Sequence, residues 1–209
     1  MQEEMIRAVI FDFGGVLAEE GFREGMKAIG RRKGLDPEVF YKISSELVYH
    51  TGYVTGERDE RFFWNTLRER TGIEGEDRDF REEILKRFRL RAEMMRLVDK
   101  LKSSGLTVAI LSDQTNWLDE LDRRTPFHAH FDYVFNSFHL KKTKKDPSIF
   151  RDVCATLDLR PEEALFVDDN PGNTERAGSQ GLKTIQFSGV GQFQTEIGKF
   201  VERGILPNG

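Results

Sequence analysis

Three short apolar runs end on acids or hydroxyls: IRAVIFD on Asp12, LTVAILSD on Ser112-Asp113, and ALFVDD on Asp168-Asp169. A lysine-rich loop, Lys141-Lys142-Thr143-Lys144-Lys145, lies between the second and third. Carboxylates gathered in one place repel, so such a cluster stays ionised at neutral pH only beside a cation. Magnesium suits it, because that ion prefers hard oxygen ligands and leaves room in its shell for waters and a substrate phosphate. A lysine adds a point charge for a phosphate dianion. The chemistry these residue types suggest is phosphate handling.

They meet only if the segments carrying them lie side by side. Residues 6–12, 106–113, 131–136, 164–169 and 182–187 are short, nearly continuous apolar runs. That is the pattern of strands buried on both faces of a parallel sheet. Helical spacing separates them. Met94, Met95, Leu97, Val98 and Leu101 recur within 91–104, with Gly105 as a stop, and Ile149, Phe150, Val153, Cys154 and Leu157 recur within 147–157. The alternation predicts an α/β fold, a Rossmann-like parallel sheet flanked by helices. Functional groups in such sheets gather beyond the carboxyl ends of the strands.

The interval 19–88 breaks the alternation and reads as several amphipathic helices. Asp36-Pro37-Glu38 is a helix start. Phe62, Phe63 and Leu67 form one apolar stripe, and Ile84, Leu85 and Phe88 another. This predicts a helical cap inserted after strand 1: residues 1–18 and 89–209 form the α/β core domain, and 19–88 the cap. Trp64 belongs to the cap interior and Cys154 to the core.

The chain has 209 residues, 38% hydrophobic and 33% charged, enough for one α/β core with a small accessory domain. A net charge of -4, from 32 basic and 36 acidic residues, gives no footprint for nucleic acid. No run approaches the roughly 20 apolar residues that cross a bilayer. The opening MQEEMIRAVIF lacks a signal-peptide layout, and the single cysteine has no internal partner for a disulfide. A cytoplasmic location is expected, and the sequence leaves the oligomeric state unknown. The histidines at 50, 128, 130 and 139 lack metal-site spacing.

FDFGGVL at 11–17, ILSDQTN at 110–116, TKKDPSIF at 143–150 and FVDDNPGNTERAGSQGL at 166–182 resemble, in order, the four motifs of haloacid-dehalogenase-superfamily hydrolases. The first motif with its helical cap is similar to that of bacterial glucose-1-phosphate phosphatases. The resemblance implies Asp12 as nucleophile, with Asp12, the Gly14 carbonyl and Asp169 as magnesium ligands. It implies that Ser112 hydrogen-bonds the transferring phosphoryl group, that Lys144 is the motif lysine that offsets its charge, and that Asp168 and Asn173 orient Lys144 and the metal site from behind. Lys145 stands where the family usually has proline. Simpler readings run alongside: Asp168-Asp169 opening a turn with Asn170-Pro171-Gly172, Gly14-Gly15 making a tight turn, Asn173 capping a helix.

Phosphatases of this family usually carry a second aspartate two residues after the nucleophile, where this chain has Gly14. Three readings follow. A phosphatase with a good leaving group, such as an anomeric sugar phosphate, needs less protonation; Asp113, Glu19 or Glu20 is a candidate replacement proton donor. A 2-haloacid dehalogenase needs neither that acid nor a metal. A phosphate-binding module needs no turnover. The first is preferred: a hydrolase of small phosphate esters, with no nucleic-acid or membrane partner.

Overall fold

A computed structural model of the chain describes residues 5–201. Five parallel strands form one sheet in the order β3-β2-β1-β4-β5: β1 (Ala8–Phe11), β2 (Thr107–Ser112), β3 (Tyr133–Asn136), β4 (Ala164–Asp168) and β5 (Lys183–Gln186). Each lies within the apolar run that predicts it. Ile10 pairs with Ala109 on one side and Phe166 on the other, which puts the ends of β1, β2 and β4 at one edge.

Alternate residues along β1 face opposite layers. Val9 and Phe11 join one apolar cluster, and Ile10 joins the other. The second cluster is covered by α8 (Ser148–Thr156), through Ile149, Phe150, Val153 and Cys154, and by Ala177 of α9 (Pro171–Ser179). The first is covered by α5 (Ala92–Ser103), α6 (Trp117–Arg124) and α10 (Val190–Ile197). A short α7 (Ser137–Leu140) follows β3.

Four helices fill the interval between β1 and α5: α1 (Gly21–Arg32), α2 (Pro37–His50), α3 (Glu60–Thr71) and α4 (Asp77–Leu85). Asp36 caps α2 by accepting from the N–H groups of Glu38 and Val39, with Pro37 in the first turn. The chain leaves and returns side by side, Glu19 N–H donating to Arg89 O (2.9 Å) and Arg91 N–H to Leu17 O (2.8 Å).

The insert does not keep a separate interior. Trp64 and Tyr53 contact Trp117 of α6, at ring separations of 6.2 and 5.7 Å, so one cluster runs from the insert into the sheet layer. The expected stripe on α3 shifts by one residue. Phe63, Trp64 and Leu67 are buried, whereas Phe62 is 44% exposed with the Arg58 guanidinium over its ring. Among the described residues, no helix is long and apolar enough to cross a membrane.

Candidate active site

Asp12 is the first residue past β1, Ser112 the last of β2 and Asp168 the last of β4. With Asp113, Lys144, Asp169 and Asn173 they line one cavity of about 460 Å³. Carboxylate oxygens of Asp12, Asp168 and Asp169 lie within 4.8 Å of one another. The buried Lys144 stands between two of them, its Nζ donating to Asp12 Oδ1 and to Asp168 Oδ2, each at 2.7 Å.

Local turns bring these groups into register. Ala18 N–H donates to Phe13 O and Gly15 N–H to Ala18 O, which leaves the Gly14 carbonyl outside both bonds. Gly15 has φ +86°, and a Cβ there would lie 2.4 Å from Asp169 Oδ2. Only glycine lets that carboxylate close over the turn.

The Asp168-to-Asn170 turn forms as expected and also builds the site. Asp168 Oδ1 accepts from Asn170 N–H (2.8 Å), and Oδ2 accepts from Asn173 Nδ2 (3.0 Å) as well as from Lys144. The cap of α9 is Asn170, which accepts from Gly172 N–H (2.9 Å); Asn173 sits one turn in, facing Asp168 rather than capping. Arg176 ties the arrangement together by donating Nε to Lys144 O (2.8 Å) and Nη2 to Asn173 Oδ1 (2.6 Å).

Each oxygen of Asp113 has a donor. Its Oδ1 accepts from Lys144 N–H (2.9 Å) and its Oδ2 from the Tyr49 hydroxyl (3.1 Å). The buried Ser112 hydroxyl makes no hydrogen bond among the described residues. Of the lysine loop, only Lys144 reaches the carboxylates. Lys141 donates to Gly56 O, Lys142 pairs with Asp152, and Lys145 rests 3.4 Å from the Tyr49 ring centroid. Three histidines pair with carboxylates: His128 with Asp122, His130 with Asp99, His139 with Asp119.

The electrostatics show a shortage of positive charge. Burial pushes the Asp12 carboxyl well up, Lys144 pulls it back, and Asp168 and Asp169 push it up again. Burial and then Asp168 raise Asp169. Burial alone would lower the Lys144 ammonium, but Asp12, Asp168 and Asp113 override that and hold it above its ordinary value. A divalent cation fits this donor set: Asp12, Asp169 and the Gly14 carbonyl offer hard oxygens, whereas Asp168 already accepts three protein hydrogen bonds.

The insert supplies a wall of the cavity through Glu20, Phe22, Arg23, Tyr41, Ser45 and Tyr49. Apart from Glu20, sequence reasoning singled out none of these. Tyr49 and Asp113 are 64 positions apart, with no spacing rule to link them. Gln114, next to the expected pair Ser112-Asp113, also lines the cavity. Its place inside the second motif was the available signal.

The fold matches a HAD-family enzyme from Bacteroides thetaiotaomicron with a TM-score of 0.71 at 22% identity, covering 87% of this chain and 93% of that one. Another structure of that enzyme is a complex with magnesium and inorganic phosphate. In sequence, the chain is 32% identical over 99 residues to bifunctional epoxide hydrolase 2 of Rattus norvegicus, 44% of this chain but 18% of the rat protein. It is also 32% identical over 95 residues to (S)-2-haloacid dehalogenase 1 of Pseudomonas sp. (strain CBS-3), covering 45% of this chain and 42% of that protein. This chain therefore spans less than half the length of either relative. The family profile described as haloacid dehalogenase-like hydrolase matches residues 6–178, most of the chain and all of the cavity floor, so the chain belongs to that family of hydrolases.

Proposed function

We propose that the chain is a magnesium-dependent phosphohydrolase acting on a small phosphate ester, a sugar phosphate among the candidates, through an aspartyl phosphate on Asp12. The observation that carries this reading is the trio of carboxylates within 4.8 Å gathered around the buried Lys144. Asp12, the Gly14 carbonyl and Asp169 would hold the metal. When bound, magnesium supplies charge neutralisation for the phosphate and for the carboxylates that face it.

Asp12 is the nucleophile. A carboxylate approaching a phosphate dianion is repelled, and Lys144, fixed by Asp168 and Asp113, lowers that repulsion at the point of attack. Ser112 has a hydroxyl free to donate to the transferring phosphoryl group. Asp168, Asn173 and Arg176 keep Lys144 in place, and a misplacement of about 1 Å at such a site costs about 10²-fold in rate. The magnesium and phosphate held by the Bacteroides enzyme support the same ligands here, and the FDFGGVL motif supports a glucose-1-phosphate-like ester.

The likeness to a haloacid dehalogenase raises a second reading. The carboxylate cluster counts against it, because two aspartates beside the nucleophile repel the carboxylate of a haloacid. One panel decides between the readings: phosphorylated metabolites with magnesium, the same with EDTA, 2-chloropropionate with EDTA, and Asp12→Asn throughout. Phosphate release that needs both magnesium and Asp12, lost by more than about 10⁴-fold in the variant, is expected. Chloride release in EDTA, or phosphate release that survives Asp12→Asn, refutes the proposal.

A further inference from the structure

Transfer of a phosphoryl group from an alkyl ester to Asp12 leaves an alkoxide, which departs slowly unless a proton reaches it. Five carboxyl groups line the cavity: Asp12, Glu20, Asp113, Asp168 and Asp169. Asp168 accepts hydrogen bonds on both oxygens, and so does Asp113. Asp12 attacks, and Asp169 lies over Gly15 beside it. Glu20 is left.

Its position fits the task. Glu20 precedes α1 and lines the same cavity as Asp12 and Lys144. Glu20 Oε1 accepts a long bond from Arg23 N–H (3.3 Å), while Oε2 makes no hydrogen bond among the described residues. A Cβ built on Gly14 would lie 3.5 Å from Oε2 and 3.5 Å from a ring carbon of Phe88. Because Gly14 has no side chain, this oxygen sits where a side chain two residues beyond the nucleophile would lie beside it.

We propose that Glu20 is the proton donor to the leaving group and the base for the second step, an assignment that rests on the reading of the site as a phosphohydrolase. As an Asp12 oxygen bonds phosphorus and the phosphorus–ester oxygen bond breaks, the Glu20 carboxyl passes its proton to that ester oxygen and an alcohol leaves. The resulting carboxylate then takes a proton from the water that attacks phosphorus. Inorganic phosphate departs, Asp12 regains its carboxylate, and Glu20 is protonated again.

The competing role for Glu20 is to cap α1 and nothing more. Glu20→Gln separates the two, since the amide oxygen still accepts from Arg23 N–H. With magnesium, kcat/KM is measured for a simple alkyl phosphate and for p-nitrophenyl phosphate, whose leaving group needs no proton. The expected loss is about 10²- to 10⁴-fold for the alkyl ester and less than about tenfold for the aryl ester. The aryl ester should also show a burst of nitrophenol as the phosphoenzyme accumulates. Equal losses for the two esters, or no loss for either, overturn the assignment of Glu20 while leaving the phosphohydrolase in place. Failure of the wild-type chain to hydrolyse either ester overturns the reading of the site, and the assignment falls with it.

Discussion

The floor of the cavity, built from the ends of β1, β2 and β4, and its wall, built from α1 and α2, hold their charged groups in different ways. On the floor Lys144, Asp168 and Asp113 are each held by more than one partner. Lys144 alone binds Asp12, Asp168, Asp113 and Arg176 through its side chain and backbone. On the wall the ties are looser. The Arg23 guanidinium lies 5.5 Å from the Tyr41 ring centroid, and among the described residues it has no carboxylate within ion-pair distance and Glu20 Oε2 has no hydrogen bond. On the proposed reading, a floor fixed in advance would suit the phosphoryl group, which every phosphate ester shares. The aromatic faces of the wall would then suit the part of the ester that varies. Among the described residues, the hydrogen bond that joins the ionic network of the floor to the wall is the Tyr49 hydroxyl on Asp113, with the Lys145 ammonium over the same residue's ring.

Lys144→Met tests the floor most severely. It leaves Asp12 and Asp168 buried without their cation, and breaking a buried pair in this way costs about 3–5 kcal/mol. Urea denaturation should show a loss of that size, with phosphate release abolished. A cost under about 1 kcal/mol would mean the floor is not a charge-coupled unit. Because Asp12, Asp168 and Asp169 crowd together, magnesium should stabilise the chain. At a hundredfold excess over its Kd the gain is about 2.7 kcal/mol.

The same crowding sets a pH dependence in chelated protein. Asp12, Asp113, Asp169 and Glu20 are all raised above their ordinary values, mainly by burial. In the window above the unfolded pKa values the folded state therefore binds more protons than the unfolded one, so stability falls as pH rises. The Tm in EDTA should drop as pH rises above the ordinary carboxylate range, and magnesium should flatten the slope. A Tm that climbs there in EDTA contradicts the crowding. The raised Lys144 ammonium does not alter the sign, because its contribution is fully present below the unfolded lysine value and is lost only as pH rises through its higher folded value.

Tyr49→Phe is the mildest change and aims at the connection itself. Removing the hydroxyl deprives Asp113 Oδ2 of its donor, for about 1–2 kcal/mol. Wall and floor are coupled if KM for the phosphate ester moves more than kcat; an unchanged KM would make them independent.

Most of the fold was legible because its signals are local. Each strand is a run of apolar residues, and the end of each run put Asp12, Ser112 and Asp168 at the site edge. Asp36-Pro37 marked α2 by its own capping chemistry. Phe62 was misread because neighbouring aromatics at 62–64 fit more than one helical stripe, and only the packing of Trp64 on Trp117 chose between them. Asn173 was ambiguous for a similar reason: Asn170, three residues earlier, took the cap and left Asn173 free to face Asp168.

The sequence by itself determined the family and the residues of the floor, since acids at the ends of parallel strands converge wherever those strands pair. It did not determine which oxygens would be spent on internal hydrogen bonds. Asp113 and Glu20 are both cavity acids in the written sequence, and nothing in their neighbours separates them. Tertiary structure decided that Tyr49 and the Lys144 backbone each donate to Asp113 while, among the described residues, Glu20 Oε2 has no donor. Those donors are distant in the chain, and only the packing of the insert and the lysine loop at the sheet edge brings them to the carboxylate.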